Sequence, residues 1–176
     1  MPEADPKPSA TEATQVTYLR PLALPSIMLV SSAFRGTMPP TTIDRRWNFA
    51  LTDSGDGDIL VGRTEVRLQP GVLVAFEPGD CIAPLRCRTE AATFRTVLVD
   101  PEFATRFLET AFPDGGVELR RGVLGEAAVR AFDAFWSAVS SDNATLEQEG
   151  LLAALLEAAS DDAGQPLPSA PITPPI

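Results

Sequence analysis

Few residues in this chain can do chemistry. Its 176 residues include no His, two Cys, and 24 Asp plus Glu against 14 Lys plus Arg. Without imidazole, the commonest metal ligand and the commonest general base are both missing. Cys81 and Cys87 stand six residues apart in what reads as one extended segment. At strand rise that is ~20 Å, beyond disulfide reach, so free thiols in a reducing cytoplasm are expected. The Asp and Cys side chains do not cluster at ligand spacing, so neither a metal nor a cofactor is expected. DSGDGD (53–58) has the composition of a calcium loop. It lacks the required order of acids and the closing Glu, and Asp and Gly equally suit a turn, which is the assignment made. The candidate acids and bases are Tyr18, Lys7, Glu65, Glu77, Asp80 and the cysteines. None is paired with a second carboxylate, no nucleophile has a base beside it, and phosphate-loop and dinucleotide motifs are absent, so the chain is not expected to be an enzyme. Arg86, Arg88 and Arg95 remain, as carboxylate clamps or as solvated surface groups.

The elements that would position these residues fall into two halves. Hydrophobic content of 44% and charged content of 22% mark a globular chain, and the length suits one domain. A net charge of −10 argues against free-standing nucleic-acid binding. No apolar run is long enough for a membrane span, and the first residues do not form a secretory signal. Residues 1–16, rich in Pro, Ala, Glu and Thr, read as a disordered tail. Residues 17–99 read as short strands separated by turns, the pattern of a sandwich or barrel. The strands are WNFAL (47–51), ILVGRTEVRL (59–68, broken at Gly62), VLVAF (72–76) and TFRTVLV (93–99). In TEVRL, Thr64, Val66 and Leu68 alternate with Glu65 and Arg67, as in a half-buried strand. YLRPLALP (18–25) is a first strand or an arm across the barrel mouth. Residues 100–160 read as helical. Asp100 caps a helix with Pro101 at its first position. A second helix carries Ala128, Phe132, Phe135, Trp136 and Val139 on one stripe. A third opens with a Thr145–Gln148 capping box and presents Leu151, Leu152, Leu155, Leu156 and Ala159. Gly150 inside it suggests a close backbone approach. Residues 161–176 hold five prolines and read as an interdomain linker.

The stretch WNFALTDSGDGDILVGRTEVRLQPGVLVAFEPGD (47–80), followed by the helices after DPEF, resembles the N-terminal half of AraC/XylS-type transcription regulators. Arg67, Leu68, Pro70, Gly71, Pro78 and Gly79 fit the pattern. Val72, Glu77 and Ile82 depart from it, the last standing where metal-binding cupin barrels carry a His. The resemblance implies a mainly β fold with helices (α+β), a cupin-like β-barrel followed by a C-terminal helical segment. It implies a metal-free sensor and dimerisation domain, with DNA bound only through a domain outside this chain. The barrel interior is then the ligand site, lined by Trp47, Phe49 and Leu51, by Ile82 and Pro84, and by Arg95 and Val97, unless these side chains simply fill it. Arg95 at the edge would suit a hydrophobic effector with a polar or acidic head. Leu151, Leu152, Leu155 and Leu156 would pair with a second copy or pack on the barrel; the resemblance favours the homodimer. A stand-alone metal-free cupin enzyme, of isomerase or lyase type, and an interaction module are the alternatives.

Overall fold

A computed structural model describes residues 12–36, 40–43, 45–141, 145–161 and 163–166. In chain order the elements are β1 (Glu12–Leu19), β2 (Ile27–Arg35), β3 (Thr41–Thr42), β4 (Trp47–Ser54), β5 (Gly57–Val61), β6 (Thr64–Leu68), β7 (Leu73–Phe76), β8 (Cys81–Cys87), β9 (Ala91–Val99), α1 (Pro101–Ala111), β10 (Gly122–Leu124), α2 (Glu126–Ser140), α3 (Thr145–Asp161) and β11 (Ala163–Pro166). Seven strands form one sheet, β1-β2-β9-β4-β7-β10-β11, and four form another, β3-β8-β5-β6. The fold is mainly β with helices, as expected. Among the described residues no ladder joins the two sheets, so the barrel is not closed.

The Pro-Gly motifs explain how β7 is set between the sheets. In QPGV the Val72 N–H donates to the Gln69 carbonyl at 3.0 Å, and in EPGD the Asp80 N–H donates to the Glu77 carbonyl at 3.1 Å. Gly71 and Gly79 have φ of 86° and 89°. Pro followed by Gly with positive φ is the signature of a type II turn. One such turn therefore stands at each end of β7. The first links it to β6 and the second to β8, both in the smaller sheet.

The sheets meet at one end in a cluster of Ile43, Ile59, Val61, Val66, Phe76 and Ile82. The other face of the large sheet carries the larger core. There Leu29, Phe49, Leu51 and Val97 pack under Phe132 and Phe135 of α2 and Leu152, Leu155 and Leu156 of α3. Asp100 caps α1, accepting from the Glu102 and Phe103 N–H groups at 3.0 and 3.1 Å, with Pro101 at the first position. In α3, Thr145 is the first helical residue, and the position before it lies outside the described residues.

Several sequence expectations change here. β1 begins at Glu12, so residues 12–16 belong to a strand rather than a tail; residues 1–11 lie outside the described residues. Tyr18 and Leu19 end that first strand, while Leu24 turns down into the core. β2 was missed, because IMLV is apolar on both faces and lacks alternation. The helical half contributes β10, which pairs with β7, and β11 joins β10 from within the Pro-rich segment, as an edge strand. The rest of that segment, residues 167–176, lies outside the described residues. The leucine face of α3 is not open to a second copy: Leu152, Leu155 and Leu156 are fully buried and Leu151 is half-buried against the same core. The apolar outer face of the large sheet needs this cover.

Gly150 is exposed, and a Cβ there would meet nothing within 4 Å, so no backbone crowds it. Gly150→Ala should therefore raise the unfolding free energy by ~0.5–1 kcal/mol. Leu152→Ala should lower it by ~2–5 kcal/mol. Urea denaturation of both variants checks the two signs together.

Candidate functional site

Alternation along β4 assigns its residues to opposite faces of the large sheet. Trp47, Phe49 and Leu51 point to the helices, while Asn48, Ala50 and Thr52 line the space between the sheets. The register extends this division across the strands. Asn48 lies between Leu98 and Phe76, Ala50 between Thr96 and Val74, and Thr52 beside Phe94. β2 continues these rows with Met28, Val30 and Ser32. Ile82, Ile59 and Leu68 close the space from the smaller sheet, and Val16, Tyr18 and Arg46 stand on its lining as well. The resulting cavity has a volume of about 420 Å3, within the range of small-molecule sites. Ala50 helps to create it, because only a methyl group occupies the middle of the β4 face.

Most of the lining is apolar, with Phe34 and Phe94 packed edge to face, ring centroids 6.0 Å apart. Asn48 Oδ1 and Thr52 Oγ1 are enclosed behind this lining without a hydrogen-bond partner in the protein. A buried polar atom left unmatched costs ~1–3 kcal/mol.

The cavity does not suit a metal. Its lining has no imidazole, carboxylate or thiolate, and Ile82, the residue at the position of interest, is an aliphatic wall. Hydroxyls, one amide and the single thioether of Met28 are a poor donor set for transition metals. Among the described residues no group of three or more His, Cys, Asp or Glu could hold a metal ion. Of the candidate acids and bases among the described residues, only Tyr18 reaches the lining, and it is 64% exposed; Lys7 lies outside the described residues. Asp80 is occupied elsewhere, accepting from the Glu77 N–H at 2.9 Å and pairing with Arg121 at 2.8 Å. Cys81 and Cys87 are exposed, unpaired thiols.

Of the seven residues expected to line the barrel, Ile82 is in the cavity and Pro84 lines an adjoining pocket of only about 50 Å3, too small for a ligand. Trp47, Phe49, Leu51, Arg95 and Val97 do share a face, but it is the helix-covered one. Their bulk is the reason: the strongly apolar side of the strand packs into the core, and the mixed side is left to the cavity. Asn48, Thr52, Phe34 and Phe94 were missed for the same reason, although the polar, small, polar spacing at 48, 50 and 52 was readable.

Arg95 is an internal clamp rather than a ligand arginine. Its guanidinium donates to Asp53 at 2.8–3.0 Å, pairs with Asp133 of α2 at 2.9 Å, and lies 5.7 and 5.6 Å from the ring centroids of Phe132 and Trp136. Hydrogen bonding to Asp53 and the charges of Asp53 and Asp133 outweigh partial desolvation and raise its pKa further. Arg88 is likewise engaged, with Asp58 at 2.6 Å and Asp56 at 3.2 Å. Hydrogen bonds from Arg67, with help from Arg88, hold the Asp56 carboxyl below its ordinary value. DSGDGD is thus a crossover between sheets whose acids bind arginines. Arg86 is exposed beside the small pocket.

A second hollow, of about 460 Å3, lies on the helix side between α1 and residues 112–119, with Trp47 on its wall. Glu109 and Glu118 line it, and no unmatched buried polar atom points to a ligand there.

No family model and no curated protein matches the chain. Solved structures do resemble it. A Photorhabdus luminescens protein is 15% identical with a TM-score of 0.44, covering 55% of this chain and 82% of its own. The Clostridium difficile EutQ protein is 19% identical with a TM-score of 0.42, covering 48% and 66%. A cupin 2 conserved barrel domain protein from Salinispora arenicola is 13% identical with a TM-score of 0.41, covering 60% and 98%. At these scores the likeness is a description, and the function has to be argued from the site itself.

The position of Arg95 has a measurable consequence. Arg95→Met should lower stability by ~1–3 kcal/mol through loss of the charge pairs and ring contacts. It should leave small-molecule binding in the cavity unchanged; a folded variant that loses binding would return Arg95 to the site.

Proposed function

We propose that this chain is an effector-binding module, the sensor part of an AraC-type transcription regulator, and that it takes a small, largely apolar molecule into a metal-free cavity between its sheets. One observation carries the binding part: an aromatic-walled, mostly apolar cavity of about 420 Å3 lies between the sheets. A filled core would have closed over that space. The regulator part is supported by the motif of residues 47–80 and the helices that follow it. The homodimer such a regulator uses would form through a surface other than Leu152, Leu155 and Leu156, which the chain buries in its own core. Exposed thiols at Cys81 and Cys87 favour a reducing compartment such as the cytoplasm.

Binding is tested with anilinonaphthalenesulfonate, a fluorescent probe whose aromatic body suits the mostly apolar lining. The expected result is saturable binding at one equivalent, lost in Ala50→Phe, which fills the cavity, while the unfolding midpoint is retained. Equal binding by a folded Ala50→Phe protein would place the probe elsewhere. The regulator part is tested by reading the gene past the codon for Ile176. A basic, helix-rich continuation supports it, and a stop codon there removes it.

A further inference from the structure

Among the described residues β1 is an edge of the large sheet, paired with β2 alone. An edge strand offers a row of backbone N–H and C=O groups without a sheet partner, and proteins blunt such edges with proline, charge or brevity. The other edges are blunted in this way: β3 has two residues, β6 carries Glu65 and Arg67, and β11 contains Pro166. β1 is not. Residues 13–19 include no charged residue and no proline, in a chain of net charge −10. A bulge between Ala13 and Gln15 interrupts the start of β1, and residues 15–19 then run in unbroken register with β2. The same stretch concentrates exposed apolar surface. Val16, Tyr18, Leu19 and Leu22 are all exposed, and the only other large exposed hydrophobics among the described residues are Leu85 and Leu146.

We infer that β1 pairs antiparallel with β1 of a second copy of this chain, joining two large sheets into one across a two-fold axis. Antiparallel copies of one strand within one sheet are related only by an axis perpendicular to that sheet, which sets one residue opposite its own counterpart. For residues 15–19 that residue is Thr17, which is exposed. The register then places Val16 of each copy opposite Tyr18 of the other. These are two pairs of the aromatic and β-branched kind that stabilise sheets, with Thr17 opposite Thr17 between them. Both pairs stand on the side that lines the cavity. Charge favours a second copy as the occupant. Two acidic chains repel wherever carboxylates meet, and residues 13–19 bring none together. β1 starts at Glu12 and is followed by Arg20, so antiparallel copies also bring ends of opposite charge toward each other. The inference rests on the homodimer part of the reading above and gives that homodimer its surface; the cavity part stands apart from it.

The test is sedimentation equilibrium of the full chain over a dilution series, with a cross-link to fix the register. Wild type should reach twice the 18.8 kDa chain mass at the concentrated end and go no further. Thr17→Lys sets two ammonium groups face to face at the axis. It should raise the dissociation constant of the dimer by ~fivefold or more, with the far-ultraviolet circular dichroism of wild type retained. In a Cys81→Ser, Cys87→Ser background, Thr17→Cys should close an intermolecular disulfide under mild oxidation, because directly opposed strand residues lie within disulfide reach. Leu85→Cys and Leu146→Cys, also exposed, should not. Should Thr17→Lys fail to fold, the cross-link decides. A folded Thr17→Lys protein as dimeric as wild type, or a dimer in which Thr17→Cys does not cross-link, would overturn the β1 interface and leave the homodimer to another surface. Mass growing beyond two chains would mean a contact that does not close, and would overturn the two-fold pairing. A chain that stays monomeric throughout would overturn this inference and the homodimer part together.

Discussion

The structure depends on one large sheet whose two faces are covered unequally. A strand has a period of two, so each residue of β4 and β9 must choose between the helix side and the sheet side. α2 and α3 are long enough to cover the outer face, and the bulkiest apolar side chains, Phe49, Leu51, Val97 and Leu29, gather there. What remains for the inner face is a mixture of Asn, Ala, Thr and Ser with aromatic groups. The smaller sheet covers one end of that mixture and leaves the rest open. The cavity is thus the consequence of an allocation that satisfied the core first.

Ion pairs then tie the parts across which the core does not reach. Arg95 joins β4 and β9 to α2 through Asp53 and Asp133. Arg88 holds the crossover from β4 to β5 through Asp56 and the buried Asp58. Arg121, before β10, meets Asp80 in the EPGD turn, with side chains only 12% and 9% exposed. Arg88 and Arg95 read as solvated groups or ligand clamps in the sequence, and each is a strut. The Arg121–Asp80 pair, the most sheltered of these, is the one costly to break singly, because little water is at hand to replace a lost partner. The cavity, by contrast, is lined mostly by apolar groups.

Much of the architecture was legible. The Pro-Gly turns, the Asp100 cap, the hairpin at Gly62 and the three helices all rest on local rules, and local rules hold when neighbours agree with them. What was not legible was which face of a strand would be inside. Trp47, Phe49 and Leu51 do form one apolar face, but a sheet with helices on one side and a second sheet on the other has two insides. Periodicity names the faces and cannot rank them. β2 was lost for a related reason, since IMLV shows no alternation when both faces are covered. The leucines of α3 posed the same ambiguity one level up, between the chain's own core and a second copy. The resemblance to the regulator family tipped that reading toward the dimer, and burial in the chain's own core answered it the other way.

A crystal of the full chain soaked with para-iodophenol is the most direct measurement of the central claim, because the iodine marks its own position by anomalous scattering. The account predicts one iodine site between the sheets, among Phe34, Phe94 and Ala50. An iodine in the hollow beneath α1 and Trp47, or none in the space between the sheets, would contradict it.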